Sequence, residues 1–138
     1  MRIIGIDFGE KRIGVAAADD RLRVAVPVEI AHVDGDPVEA VVGIALEQRA
    51  DELVVGMPLS LTGAEGPQAQ RVRRAVEEIA RRVAIPVRTY DERLTTAQAR
   101  RGPVAPGRGR GGQRGGHRDA AAAAIMLQAY LDSQRPHG

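Results

Sequence analysis

Arg2-Ile3-Ile4-Gly5-Ile6-Asp7-Phe8-Gly9-Glu10-Lys11-Arg12-Ile13-Gly14-Val15-Ala16-Ala17-Ala18 decides how the chain begins to fold. Arg2 to Phe8 is rich in Ile, Gly9-Glu10-Lys11 carries turn chemistry, and Arg12 to Ala18 returns as a second apolar run. That pattern predicts strand, tight turn, strand. Asp7 is the anomaly in it. An ionised carboxylate at the end of an apolar strand is costly unless it is solvated, paired or bound to a cation. It reads either as a turn aspartate bonded to the Gly9 region or as a metal ligand at the C-terminal end of a strand, where α/β folds place their sites.

Downstream, the Asp19-Asp20 turn leads to a third extended run, Leu22 to Ile30. Asp36 precedes Pro37 and a helix whose core face is predicted as Val38, Val41, Val42, Ala45 and Leu46, with Glu39 at capping-box spacing. Glu52 to Gly56 reads as a short buried strand, and Pro67 opens a second helix with Val72, Val76, Ile79 and Val83 on its core face. Arg73/Glu77, Arg74/Glu78, Glu77/Arg81 and Glu78/Arg82 give its wet side four-residue charge pairs. Pro86 to Tyr90 is the next strand, Thr95 or Thr96 is placed to cap a short helix, and Asp119 to Leu131 is the last helix. The order predicts an α/β fold: a mixed five-stranded sheet of three antiparallel strands followed by parallel strands, flanked by helices. No internal repeat or second domain is visible, so residues 1–138 are read as one domain.

Composition excludes more than it selects. With 138 residues, 43% of them hydrophobic but only 2% aromatic, the core must be built from Val, Ile, Leu and Ala. The absence of cysteine excludes disulfides, a thiolate zinc site and a cysteine nucleophile. The longest apolar run, Ala120 to Leu127, is far below the roughly 20 residues a bilayer requires, and no secretory h-region opens the chain. The expectation is a cytoplasmic domain without a membrane partner. The net charge of +2 conceals a strong asymmetry: residues 1–99 carry −3, residues 100–118 carry +6 from six Arg and no acid, and the rest carries −1. The basic segment also holds seven Gly and two Pro, which predicts a flexible Gly/Arg-rich loop at about 102–117 suited to phosphate contact.

Asp91 and Glu92 follow the Pro86 to Tyr90 strand, and Asp119 precedes the last helix, where taken alone it would serve as an N-cap. With Asp7 they form acidic positions that a mixed sheet could gather at one edge, and a few carboxylates are what Mg²⁺ uses beside substrate phosphates. His32, His117 and His137 lack metal-ligand spacing, Gly56-Met57-Pro58 is not a Walker loop, and Ser60 lacks a nucleophile elbow.

Four blocks in order carry a resemblance to one family. Ile4 to Ala16 resembles the opening motif of the YqgF (RuvX) family. Val54-Val55-Gly56-Met57-Pro58-Leu59, with Gly63 and Glu65-Gly66-Pro67, resembles its second block, and Tyr90-Asp91-Glu92-Arg93-Leu94-Thr95-Thr96 its third. Asp119, Ala121-Ala122, Ile125 and Leu127 to Asp132 resemble its closing helix. The resemblance implies an RNase H-like fold and a nuclease site of Asp7, Glu92 and Asp119 holding two divalent cations, Mg²⁺ or Mn²⁺. Glu92 is preferred to Asp91 as the ligand from that motif. Lys11, Arg12, Arg93, Arg108, Arg110, Arg114 and Arg118 would then contact nucleic acid. The substrate implied is pre-16S rRNA in 5′-end maturation, with Holliday junction or other structured DNA as the alternative. Oligomeric state stays open between monomer and homodimer. Two competing readings are a non-catalytic nucleic-acid-binding module and a relic of the actin-like ATPase phosphate loop, which Asp7-Phe8-Gly9 also resembles.

Overall fold

A computed structural model describes residues 1–9, 11–32, 35–60, 62–94 and 115–134, with side chains in the last helix described from Ala120 onward. Its elements are β1 (Arg2–Phe8), β2 (Arg12–Asp19), β3 (Ala25–His32), α1 (Pro37–Glu47), β4 (Glu52–Met57), α2 (Pro67–Arg82), β5 (Val87–Asp91) and α3 (Gly115–Ser133). The sheet order is β3-β2-β1-β4-β5. β1 pairs antiparallel with β2 and β2 with β3, whereas β1, β4 and β5 run parallel. The meander and the added parallel strands are those the sequence predicts. Among the described residues no helix is long and apolar enough to cross a membrane.

Alternation along the strands sorts the core into two layers. Ile4, Ile6, Leu53 and Val55 meet Val38, Val41, Ile44, Val72 and Ile79 of α1 and α2 on one face. Ile3, Ala16, Ala18 and Val54 meet Ala123, Met126, Leu127 and Tyr130 of α3 on the other. Gly5 belongs to that second face, where a Cβ would lie 3.1 Å from the Leu127 Cβ, so the glycine lets α3 close on β1. The hairpin between β1 and β2 closes through Gly9 N–H donating to the Arg12 carbonyl at 2.8 Å. β3 is an edge strand, bulged where it meets Val15 and Ala16 and carrying Pro27 opposite Ala16, both devices that discourage edge pairing.

Asp36 caps α1 as expected, its carboxylate accepting from Val38 N–H at 2.9 Å. Other boundaries differ from the sequence reading. The third strand starts at Ala25 instead of Leu22, because the Asp19 carbonyl accepts from Leu22 and Arg23 N–H and keeps both in the turn. Gln128 of α3 then seals that turn by accepting from Ala25 N–H at 3.0 Å and donating to the Arg23 carbonyl at 3.1 Å. On α1, Ile44 takes the core position predicted for Leu46, which is 74% exposed. Arg73 pairs with Glu65 in the preceding loop and not with Glu77, and only Glu78/Arg82 of the expected four-residue pairs is seen among the described residues. Residues 92–94 are already helical, ahead of the expected cap at Thr95 or Thr96, both of which lie outside the described residues. The last helix begins at Gly115, so residues 115–117 are helical instead of loop, and Asp119 sits inside the helix instead of capping it. Residues 102–114 of the basic segment lie outside the described residues.

One buried acid lies at the start of β4. Glu52 is 6% exposed, accepts from the Tyr130 hydroxyl at 2.7 Å, and is paired with Arg88 at 2.8 Å. Burial first, then the Glu52 carboxylate, pushes the Tyr130 hydroxyl up to about 12, which keeps it a donor. This triad ties the C-terminal end of α3 to β4 and β5. Glu52→Ala is expected to lower unfolding free energy by about 1–3 kcal/mol, the range for stranding a buried hydroxyl without its acceptor. Urea unfolding checks this, and Glu52→Gln should recover most of the loss.

Candidate functional site

Because β1, β4 and β5 are parallel, all three end at one edge of the sheet, and each brings its last residues there. Asp7 is the penultimate residue of β1 and, by alternation from Ile3 and Gly5, faces the α3 side. Its neighbours on both sides are glycines. Gly14 of β2 is its register partner, and the pairing of Ile6 with Val55 sets Gly56 of β4 beside it. Gly56 shares the α3-side face of Val54, and Glu92 follows β5 as the first residue of the helical stretch 92–94. Its carboxyl lies over Gly56, where a Cβ would stand 3.1 Å from both Cγ and Cδ of Glu92 and overlap Oε2 outright. A glycine in the intervening strand is what lets the two acids meet.

The two side chains are hydrogen-bonded to each other. Burial, then the Asp7 hydrogen bond and charge, then the Asp91 charge, raise the Glu92 carboxyl to about 8. Without a cation this pair cannot hold both negative charges, so a proton fills the gap. Asp91, one residue earlier, is committed elsewhere. Arg93 Nε lies 3.0 Å from each Asp91 oxygen and Arg93 N–H donates at 2.9 Å. These bonds hold the Asp91 carboxyl below its ordinary range. The structure thus pairs Asp7 with Glu92, and Asp91 with Arg93.

Asp119 lies in α3 two turns before Leu127. The C-terminal end of α3 sits by Glu52 at the start of β4, so its N-terminal half heads toward the carboxylate edge. The Asp119 and Arg118 side chains lie outside the described residues, as do Arg108, Arg110 and Arg114 entirely. Among the described residues no three acidic or imidazole groups converge. Lys11 is exposed on the hairpin, and Arg12, two residues before Gly14, shares the face of Asp7. The Arg93 guanidinium, besides holding Asp91, passes 3.4 Å from where a Gly63 Cβ would be; Gly63 has φ +89°, in the left-handed region.

The sequence reading did not single out the spacers Gly14 and Gly56. Glycine inside an apolar strand is itself a signal of close approach by another group.

A meander followed by two parallel strands, with carboxylates at the ends of the first and last strands of that parallel set, is the RNase H-like architecture. Thermus thermophilus RuvC, solved in complex with Holliday junction substrate, shares it: TM-score 0.63, 97% of this chain and 95% of that chain covered, at 16% identity. The chain belongs to the RuvX family, whose profile, described as "Holliday junction resolvase", matches residues 1–133. It is 44% identical over 143 residues to the "Putative pre-16S rRNA nuclease" of Nocardioides sp. (strain ATCC BAA-499 / JS614), covering 98% of this chain and 90% of that one. It is 36% identical over 138 residues to the protein of the same name from Anaeromyxobacter sp. (strain K), covering 99% and 100%.

Proposed function

We propose that this chain acts as one nuclease domain that hydrolyses phosphodiester bonds in 5′-end maturation of pre-16S rRNA in the cytoplasm, with Mg²⁺ or Mn²⁺ bound at Asp7, Glu92 and Asp119. The observation that carries the reading is the Asp7–Glu92 pair held together over Gly56. The donor set fits the cation. All three groups are carboxylates, the oxygen donors hard dications take, and positive charge relieves the repulsion that pushes Glu92 upward. When bound, one or two such ions activate water and stabilise the leaving oxygen. Asp7 at the end of β1 and Glu92 just beyond β5 would hold the ions, and Asp119 would add a donor from the helix. Lys11, Arg12 and Arg93, with Arg108, Arg110, Arg114 and Arg118, hold flanking phosphates, and Arg93 also holds Asp91.

RNA is favoured because relatives bearing that name match end to end at 36% and 44% identity. A second reading, cleavage of structured DNA, rests on the RuvC-like fold and the family description. It requires two sites on one junction and hence a homodimer, whereas a single cut in RNA needs only a monomer.

The deciding experiment presents purified protein plus Mg²⁺ or Mn²⁺ with precursor rRNA ends and four-way DNA junctions in parallel. Cleavage of the rRNA, lost in EDTA, supports the reading; cutting of junctions alone transfers it to DNA, and activity that survives EDTA overturns it. Asp91→Asn should reduce cleavage less than tenfold, since Asp91 touches Arg93 and not Asp7, whereas Glu92→Gln should bring it to background.

A further inference from the structure

A second feature opens at the same edge of the sheet, on the opposite face. A cavity of about 390 Å³ lies between the starts of α1 and α2 and the end of β1. Phe8, Pro37, Val72 and Ala75 form an apolar floor, and Gln68 and Arg71 stand at its rim. Residues 68, 71, 72 and 75 recur at helical spacing, so α2 presents them on one face. Phe8 is the only phenylalanine in the chain, and it is half-buried, packing on the otherwise aliphatic core layer beneath α1 and α2 while lining the cavity. Arg71 is exposed and makes no ion pair among the described residues, although Arg73, Arg81, Arg82, Arg88 and Arg93 all do. An apolar slot, a side-chain amide and an uncommitted guanidinium are the parts that receive a nucleotide: a ring to stack on, a donor–acceptor pair for a base edge, and a cation for phosphate.

We infer that this cavity takes a nucleobase of the substrate strand adjacent to the cleaved phosphate. The inference rests on the nuclease reading. Phe8 directly follows Asp7, so their Cα atoms are about 3.8 Å apart and their side chains leave opposite faces of β1. A strand whose phosphate sits at Asp7 and Glu92 can pass over the exposed Gly9 and turn its next base into the slot. Gln68 is the group able to read that base, and adenine, with adjacent donor and acceptor atoms, matches an amide. The cavity is therefore where sequence preference at the cut would be set.

The test uses the full chain in EDTA, which separates binding from cleavage. AMP is titrated against ribose 5-phosphate, the same ligand without its base. AMP is expected to bind on the order of tenfold tighter, the range for stacking one base on an aromatic ring. Ala75→Leu, which fills the floor, and Gln68→Ala should remove that preference. Arg71→Ala should weaken both ligands alike. A single-stranded RNA decamer should displace AMP. Gln68 and Arg71 are exposed, so their variants keep the fold even where Ala75→Leu does not. Equal binding of AMP and ribose 5-phosphate, or a preference untouched by Gln68→Ala, overturns the inference. AMP that the decamer cannot displace overturns it too, marking the cavity as a site for free nucleotide. Absence of cleavage with the AMP preference intact would instead defeat the nuclease reading and leave the pocket standing.

Discussion

Asp7→Asn is expected to reduce phosphodiester cleavage on the order of a thousandfold, while the metal-free protein stays as stable as before or becomes more so. The loss follows from removing one anchor of the cation, because several kcal/mol of transition-state stabilisation goes with it. The stability outcome is the sharper half. Most substitutions of a partly buried, hydrogen-bonded residue destabilise. Here the neighbour is another carboxylate, and Glu92 is raised to about 8 by burial and by Asp7. A folded-state value above the unfolded one means this group contributes stability that is full below the ordinary carboxyl range and is lost as pH rises toward about 8. In EDTA the wild-type unfolding midpoint should therefore fall between pH 5 and pH 8 by more than that of Asp7→Asn. Adding Mn²⁺ should raise the wild-type midpoint and leave the variant unmoved. Single-turnover cleavage and thermal unfolding with and without Mn²⁺ check all of this. An unchanged rate would remove Asp7 from the site, and a midpoint in EDTA several degrees lower would make it a structural partner instead of a repelling one.

Local signals were readable where their causes are local. The Gly9 hairpin follows from period-two alternation around a turn, and α1 starts where Asp36 and Pro37 say it should. The positions of the acids at strand ends were legible for the same reason. What failed depends on partners distant in sequence. The start of β3 at Ala25 is held in part by Gln128, more than a hundred residues later, and α3 begins at Gly115, ahead of Asp119, a position that by itself resembles a cap. Arg73 had two acids in reach of its long stem and took Glu65, which a count along the helix does not weigh. The choice between Asp91 and Glu92 turns on what each meets across the sheet: Glu92 lies over Gly56 beside Asp7, whereas Asp91 is held by Arg93. The resemblance preferred Glu92 without that reason. Gly56 escaped notice because its value lies in what two other strands place above it.

That value can be measured. Gly56→Ala is expected to lower cleavage about a hundredfold, the effect of moving a catalytic group by roughly 1 Å, with unfolding free energy changed by less than about 1 kcal/mol. A methyl group at residue 56 would stand 3.1 Å from Glu92 Cγ and Cδ and inside Oε2, so the side chain must swing away from Asp7. It can do so because the conflict is with the far end of a flexible chain and not with backbone, while alanine itself suits a strand better than glycine does. Stability and activity therefore separate, as they would not for a core residue of similar burial such as Val54. The displaced carboxyl also leaves Asp7 without its repelling neighbour, so Mn²⁺ should bind more weakly and shift the unfolding midpoint less than in the wild type. If Gly56→Ala cleaves normally, the meeting of Asp7 and Glu92 over that glycine is not the arrangement used in the reaction. If it unfolds, the glycine serves packing alone. The predicted result, a folded protein with a misplaced acid, belongs only to a spacer that exists to bring two carboxylates together.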